Sequence, residues 1–258
     1  MIPRCVLVIG GSDPSGGAGI QADSFTLISL KIFPYSVITS ITFQNSQGVK
    51  GVFNLPSSAV LKQLEAVFSE NQIDAVKIGM LGSKENVEAV SSFLKGKKMK
   101  KIVVDPVFQA SFGDTLLEKK AIPALKNELF PQALVVTPNL AEAEALVGFK
   151  VRNLTKMKEA AQVISALGPK WVLLKGGHLS GDKAVDLLFD GEKYYQFEKD
   201  KLNKDVRGTG CVFSSALAAY LVQGEKVPDA VKKAKNYITK VIKDSYRLGK
   251  GRPQIVPF

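Results

Sequence analysis

The sequence predicts an α/β fold in which a mostly parallel sheet carries helices on both faces, with a small antiparallel hairpin at one edge. Short runs rich in β-branched residues alternate along the chain with segments whose apolar residues recur at helical spacing. Such alternation is typical of right-handed βαβ units, which pair their strands in parallel. No linker or low-complexity segment interrupts it, and 258 residues with 45% hydrophobic content can bury a large core. We therefore expect one domain over residues 1–258.

The elements follow in chain order. The first strand, 4–9, is a continuous apolar run, and a glycine-rich loop separates it from a helix beginning near Ala18. A hairpin is indicated where Asp190 and Gly191 join two short strands. Ser83 and Thr155 are the expected N-caps of two helices, and Gly168 follows the end of the second. The remaining strands are 37–43, 75–78, 101–105, 134–137, 171–175, 184–189 and 193–197, and the remaining helices are 57–69, 83–94, 119–129 and 156–167.

The net charge of +11 is concentrated in two segments, 95–101 and 226–252. In the second segment apolar residues recur at helical spacing, and lysines such as Lys232 and Lys235 fall mostly on the opposite, solvated face. No nucleic-acid-binding motif is present, so we expect a field that attracts anionic substrates rather than a nucleic-acid site.

Composition excludes several kinds of site. No apolar stretch reaches the roughly 20 residues that span a bilayer, so we expect a soluble, cytoplasmic protein without membrane contact. Cys5 and Cys211 are far apart in sequence, which favours neither a disulfide nor a zinc site. The single His178 excludes sites built on several histidines. Carboxylates, lysines, a cysteine and backbone amides remain for the chemistry.

Polar clusters follow five of the predicted strands, at 10–23, 44–48, 105–114, 139–142 and 175–178. Ligands of parallel sheets bind at the carboxyl ends of the strands, so these clusters predict one shared site. The pattern Gly17-Ala18-Gly19 begins eight residues beyond the strand end, too late for a dinucleotide turn, and we interpret it as part of a substrate loop. Asp23 either accepts hydrogen bonds from a ligand or complements the N-terminus of its helix.

The second half of the chain carries residues suited to phosphoryl transfer. Gly208, Thr209 and Gly210 precede an apolar helix, where unpaired N–H groups and the helix dipole favour an anion. Asn139 and Glu142 follow a strand and are suited to organising Mg²⁺ through waters. Lys175, followed by two glycines, can reach nucleotide phosphates.

Seven motifs in order together resemble the hydroxymethylpyrimidine/phosphomethylpyrimidine kinases of thiamine synthesis, within the ribokinase-like superfamily. The resemblance covers essentially the whole chain. It implies a ribokinase-like three-layer fold, ATP as phosphoryl donor, Mg²⁺, a 4-amino-5-hydroxymethyl-2-methylpyrimidine substrate and a homodimer. The motifs are GGSDPSGGAGIQAD (10–23), TFQNSQGV (42–49), KIGML (77–81), VDPV (104–107), TPNLAEAE (137–144), LKGGH (174–178) and GTGC (208–211).

The resemblance also implies roles for individual residues. Asp23 and Gln44 would bind the aminopyrimidine ring, on which Gly11, Met80 and Val107 would pack. The nucleotide and metal residues would be Asn139 and Lys175 for the phosphates, Asp105 and Glu142 for the metal and phosphate region, and Gly208, Thr209 and Gly210 for the anion hole.

Cys211 stands where many superfamily members have a catalytic Asp, and it is a cysteine in the pyrimidine kinases. A helix N-terminus lowers a thiol pKa, so we favour Cys211 as the base that accepts the hydroxymethyl proton. The alternative is a small residue that only closes the start of the helix.

The sequence departs from the family at two places. Arg207 replaces the usual His, and the segment 108–114, which includes Ser111, lacks the family's Lys. Without that lysine, Arg207 could supply the cation for a substrate phosphate in the second phosphorylation. Two other functions stay open: a pyridoxal or pyridoxine kinase, and a non-catalytic pyrimidine-binding protein.

Overall fold

The structure is a computed structural model that describes residues 4–110, 113–177, 179 and 181–255. The strands are β1 (Cys5–Ser12), β2 (Phe33–Asn45), β3 (Gly48–Asn54), β4 (Ala75–Ile78), β5 (Ile102–Val104), β6 (Val135–Val136), β7 (Trp171–Gly176), β8 (Lys183–Phe189) and β9 (Tyr194–Asp200). The helices are α1 (Gly19–Ser29), α2 (Ser57–Glu70), α3 (Lys84–Lys97), α4 (Ile122–Ala124), α5 (Leu140–Val147), α6 (Leu154–Ser165), α7 (Thr209–Val222) and α8 (Val227–Lys243).

The strands form one sheet in the order β3-β2-β1-β4-β5-β6-β7-β8-β9. The six strands from β2 to β7 in this order run parallel, β3 pairs antiparallel at one edge, and β8 and β9 form an antiparallel pair at the other. The predicted α/β class, mostly parallel sheet and edge hairpin are therefore confirmed. Consecutive parallel strands place their carboxyl ends along the same rim of the sheet, where a ligand can contact several of them.

Two apolar cores lie on opposite faces of the sheet. In β1, Leu7 and Ile9 pack into one core together with α2, α3 and α6, whereas Val6 and Val8 pack into the other with α1, α7 and α8. Successive strand residues point to opposite faces, so a strand covered on both sides must be apolar throughout. This arrangement explains why the first strand reads as a continuous apolar run.

Several local predictions differ from the structure. The edge strand β3 was not expected, because Gly48 and Gly51 interrupt its apolar pattern. Ser83 caps α3 as predicted by accepting a hydrogen bond from the Asn86 N–H at 3.2 Å, but Thr155 is not the cap of α6. There Asn153 accepts from the Lys156 N–H at 2.9 Å, and α6 begins one residue before Thr155.

The predicted helix 119–129 is a chain of short 3₁₀, α and π turns over Lys119–Ala121, α4, Leu125–Leu129 and Phe130–Gln132. Pro123 and Pro131 each stand near the start of a turn, where a missing N–H is tolerated, and they interrupt a regular helix. Lys235 was expected in the solvated face of α8 but is buried against Asp186 at 2.6 Å. Among the described residues, no helix is both long and apolar enough to cross a membrane.

Candidate active site

A cleft of about 1420 Å³ lies at the carboxyl ends of the parallel strands, and every residue predicted for the site contributes to its wall. The topology thus brings together residues up to 200 positions apart in the chain. The predicted residues on the wall are Gly11, Asp23, Gln44, Met80, Asp105, Val107, Asn139, Glu142, Lys175, Arg207, Gly208, Thr209, Gly210 and Cys211. His178, Ser111 and Phe112 lie outside the described residues.

The first wall is formed where β1 turns into α1. The parallel register between β1 and β2 shifts at Gly10 and Gly11, so that the end of β1 leaves the regular ladder. A Cβ at Gly11 would lie 2.8 Å from the Met80 sulfur, and one at Gly19, whose φ is +60°, would lie 2.3 Å from the Gly11 carbonyl oxygen. Gly19 must therefore be glycine, since backbone blocks a Cβ there, whereas a Cβ at Gly11 would have to displace the Met80 side chain, which packs on the backbone of the loop.

Asp23, in the second turn of α1, pairs with Lys77 of β4. The Lys77 Nζ donates to both carboxylate oxygens at 2.9 and 2.8 Å, and each side chain is 1% exposed. Ser215 Oγ also donates to Asp23 at 2.7 Å. Burial raises the pKa of Asp23, and the charge of Lys77 opposes that rise. Lys77 was not predicted as a site residue, although an ionisable side chain within the apolar strand Ala-Val-Lys-Ile indicates a buried partner of opposite charge.

Asp105, after β5, is paired in the same way with Lys175 of β7. Lys175 Nζ donates to its carboxylate at 2.6 Å, and the Thr137 and Ser214 hydroxyls donate at 3.0 and 3.4 Å. Burial raises the pKa of Asp105, but the charges of Lys175 and Lys77 outweigh it and leave that pKa below its usual value. Asp105 is therefore a fixed negative charge at the centre of the cleft.

Asn139 and Glu142 form a reciprocal cap at the start of α5. The Asn139 side chain accepts from the Glu142 N–H at 2.9 Å, and Glu142 accepts from the Asn139 N–H at 2.8 Å. Burial raises the pKa of Glu142 to about 8, although the charge of Lys175 opposes the rise. The nearby charge of Asp105 adds to it. A cation at this position would favour the ionised form of Glu142.

The donor set for a metal is small. Within the described part of the chain, no group of three or more His, Cys, Asp or Glu side chains could hold a metal ion by itself. Asp105 and Glu142 interact electrostatically across the cleft, and two carboxylates are what Mg²⁺ uses when phosphates and waters complete its coordination. The residues present therefore fit a magnesium ion that arrives with a nucleotide.

The turn before α7 has the geometry of an anion site. Gly208 is the N-cap residue with φ +78°, and the first intrahelical bond runs from the Val212 N–H to its carbonyl oxygen. The N–H groups of residues 209–211 therefore precede the intrahelical ladder of α7. A Cβ at Gly210 would lie 3.3 Å from Lys175 Nζ, so the turn and the Lys175 ammonium face the same space.

Cys211, in the first turn of α7, is partly exposed on the cleft wall. Burial of its sulfur raises the pKa to about 11, with Lys77 opposing the rise and the charges of Asp23 and Asp105 adding to it. The prediction of a lowered pKa at this helix N-terminus is wrong in this structure, because desolvation outweighs the charge of Lys77 and the hydrogen bond from the Gly19 N–H.

Arg207 does not lie free in the cleft as expected for a phosphate ligand. It is 2% exposed, and its guanidinium donates to Asp13 at 3.0 Å and to the Ser15 hydroxyl at 3.2 Å. Asp13 was not singled out from the sequence, although it stands in the first motif. The Gln44 amide lies 3.4 Å from the same carboxylate.

A family model described as phosphomethylpyrimidine kinase matches residues 13–255. The hydroxymethylpyrimidine/phosphomethylpyrimidine kinase of Aquifex aeolicus is 45% identical over 246 residues, 95% of this chain and 96% of that protein. The thiamine biosynthesis bifunctional protein ThiED of Geobacter sulfurreducens is also 45% identical over 95% of this chain, which spans only half of that relative.

Two solved structures are similar over nearly the whole chain. An ADP complex of Bacillus subtilis pyridoxal kinase matches with a TM-score of 0.90 and 35% identity, over 98% of this chain and 96% of that one. The phosphomethylpyrimidine kinase of Clostridium difficile matches with a TM-score of 0.82 and 42% identity, over 93% and 99% of the two chains. By sequence and by fold, this chain belongs to the phosphomethylpyrimidine kinase family.

Proposed function

We propose that this chain is an ATP-dependent kinase of thiamine biosynthesis. It phosphorylates the hydroxymethyl group of 4-amino-5-hydroxymethyl-2-methylpyrimidine and then converts the monophosphate to the diphosphate. The observation that carries the proposal is the convergence of the Gly208 turn, the Asp105–Lys175 pair and the glycine-rich substrate loop in one cleft. The names of the relatives at 45% identity support the same substrate, and the ADP complex of the pyridoxal kinase supports a nucleotide donor.

Phosphoryl transfer needs positioning and fixed charges more than covalent chemistry. Asn139 and Lys175 would contact the nucleotide phosphates, while Asp105 and Glu142 would hold Mg²⁺. The metal, when bound, would supply positive charge to the β- and γ-phosphates. The N–H groups of Thr209, Gly210 and Cys211 are aimed before any substrate arrives, which is how charge in a transition state is stabilised without reorganisation.

The pyrimidine ring would lie between the glycine-rich loop, Met80 and Val107. Asp23 was expected to bind this ring, but Lys77 and Ser215 already donate to its carboxylate. Gln44 makes only a long contact of 3.4 Å to Asp13, so its amide is the group we expect to turn toward the ring. We propose that Asp23 acts behind the site, as the counter-ion of Lys77.

Cys211 remains our proposed proton acceptor. With a pKa of about 11 its thiolate is only about 10⁻⁴ of the population at pH 7. A loose transition state asks little of a base until the P–O bond to the leaving group is largely broken. Cys211→Ala should then lower kcat by roughly 10²-fold or more while KM changes little. An unchanged kcat would show that Cys211 only closes the start of α7.

The decisive test compares kcat/KM for four acceptors with ATP and Mg²⁺: hydroxymethylpyrimidine, its monophosphate, pyridoxal and pyridoxine. We expect the two pyrimidines to be preferred. The close match to a pyridoxal kinase makes the vitamin B6 compounds the main competitors, and a preference for them would overturn the proposal. Asp105→Asn, purified in parallel, controls for contaminating kinases. If no acceptor turns over, a pyrimidine-binding protein without activity becomes the better interpretation.

We also propose that the chain forms one domain and works as a cytoplasmic homodimer. A single sheet runs through the described residues. The β2–β3 hairpin exposes Ile41, Phe43 and Phe53, each more than two fifths exposed, and Ile41 stands opposite Phe53 in the register. Such an apolar face favours a second copy of the chain. Light scattering after gel filtration should show a dimer that Phe43→Glu weakens and that Val163→Glu, at an exposed position on α6, does not.

A further inference from the structure

Asp13 and Arg207 form a buried ion pair between two loops of the cleft that are 194 residues apart in the chain. The Arg207 guanidinium donates to Asp13 at 3.0 Å, and each side chain is 2% exposed. Removing one partner of such a pair leaves an uncompensated buried charge, so each loop depends on the other loop for its charge partner.

The Asp13 carboxylate has several further donors. One oxygen accepts from the Ser15 N–H at 2.9 Å and from the Ser15 hydroxyl at 2.7 Å. The other accepts from Arg207 and lies 3.4 Å from the Gln44 amide. A second guanidinium nitrogen donates to the Ser15 hydroxyl at 3.2 Å. Arg207 therefore contacts two residues of the turn that begins the substrate loop, Asp13 and Ser15.

The backbones of the two loops are also in direct contact. A Cβ at Gly208 would lie 2.0 Å from the Gly17 carbonyl oxygen, so the turn that would bind phosphate rests on the substrate loop itself. The C-terminal segment contacts both loops. The Arg207 N–H donates to the Pro253 carbonyl at 3.0 Å, and the Gln254 side-chain amide donates to the Ser15 carbonyl at 3.3 Å.

We propose that Arg207 is a positioning residue that fixes the distance between the bound acceptor and the phosphoryl-binding turn. Its guanidinium donates to Asp13 and Ser15, so it acts through the 13–17 loop. The inference rests on the proposed kinase function. A displacement of about 1 Å between reacting groups can cost roughly 10²-fold in rate, which is the scale expected when this contact is lost.

The test uses Arg207→Met, Arg207→Lys, Asp13→Asn and the double variant Asp13→Asn/Arg207→Met, with Arg247→Met as the exposed-arginine control. We expect Arg207→Met to lower kcat for hydroxymethylpyrimidine by roughly 10- to 100-fold, with the KM for ATP changed less than about threefold. Arg207→Lys should recover part of kcat. The double variant should have a higher kcat than Arg207→Met, because it no longer buries an unpaired carboxylate.

Three results would overturn the proposal. A loss confined to the monophosphate acceptor would make Arg207 a phosphate ligand. Equal losses in every parameter, in proportion to the folded fraction measured by circular dichroism, would make it merely structural. Unchanged kcat and KM in Arg207→Met would show that Arg207 does not position the acceptor.

A second measurement separates this inference from the kinase function. Hydrogen exchange of the amides of Asp13 and of residues 15–17 should be at least about tenfold faster in Arg207→Lys and in the double variant than in the wild type, whether or not any acceptor turns over. Unchanged exchange would refute the positioning role even in an active kinase. Failure of the wild type to phosphorylate any acceptor, with faster exchange in the variants, would refute the function alone.

Discussion

Lys77→Met tests a buried cation on the wall of the cleft, 1% exposed and paired with Asp23. Methionine replaces the apolar stem of Lys77 up to the position of Cε but leaves Asp23 without its cation. Breaking a buried ion pair from one side costs about 3–5 kcal/mol, and here the lower end applies because Ser215 still donates to Asp23 at 2.7 Å. A loss of about 3 kcal/mol corresponds to a fall of roughly 6–12 °C in Tm for a chain of this size.

The sign of the pH dependence follows from Asp23. Burial already raises its pKa above 3.8 in the presence of Lys77, and loss of that charge raises it further. Because the folded-state pKa is raised, Asp23 does not destabilise the fold at pH values below its unfolded-state pKa. The destabilisation grows as the pH rises from the unfolded-state pKa toward the folded-state pKa. The defect of Lys77→Met should therefore be small near pH 4 and large at pH 7.5.

Urea unfolding followed by circular dichroism at both pH values measures the effect. Asp23→Asn/Lys77→Met should recover stability, because it buries no charge. Lys84→Met is the matched control, since Lys84 forms an exposed pair with Glu88 at 3.2 Å and should cost less than about 1 kcal/mol. A loss below about 1 kcal/mol at pH 7.5, or an equal loss at both pH values, would refute the reasoning.

Three further predictions follow from the site. Glu142, with a folded-state pKa of about 8, destabilises the fold increasingly between about pH 4.5 and 8. Glu142→Gln should therefore be more stable than wild type in urea unfolding at pH 8, yet bind ATP with Mg²⁺ more weakly by calorimetry. Equal stability of the two proteins would contradict the burial of Glu142. Alkylation of Cys211 by iodoacetamide, followed by peptide mass spectrometry, should accelerate about tenfold per pH unit from 8 to 10, whereas a plateau near pH 8 would exclude a pKa of about 11. Gly208→Ala should lower the free energy of unfolding by well over 2 kcal/mol in the same assay, because of its φ of +78° and its contact with Gly17. Gly191→Ala, at φ +101° in open space, should lower it by only about 1–2 kcal/mol. Similar losses in the two variants would contradict the contact.

The sequence was informative wherever one strand or one turn determines the outcome. The run at 4–9 predicts a strand by its composition alone, and the two covered faces of the sheet explain why apolar and polar residues do not alternate in it. Residues such as Asp105 and Asn139 could be assigned to one site because parallel strands end on the same rim of the sheet. Ser83 could be identified as an N-cap from its own chemistry.

Pairing between distant charges could not be read in this way. Lys77 and Asp23 are 54 residues apart, Lys175 and Asp105 are 70 apart, and no spacing rule connects them. The pairing of Arg207 was missed for the same reason, because its partner Asp13 is at the other end of the chain. The pKa of Cys211 also depends on burial, which the helix start alone does not reveal.

The cleft keeps buried ion pairs even though burying charge usually lowers stability relative to apolar packing. Fixed charges that are oriented before the substrate binds are what phosphoryl transfer needs, so the cost has a functional explanation. The cations of these pairs differ in their exposure to solvent. Lys175 is 14% exposed, whereas Lys77 is 1% and Arg207 2% exposed. We therefore propose that Lys175 is the cation that exchanges a carboxylate for a nucleotide phosphate, while Lys77 and Arg207 keep their partners. The pairs on the wall are Asp13–Arg207, Asp23–Lys77, Asp105–Lys175 and Asp186–Lys235.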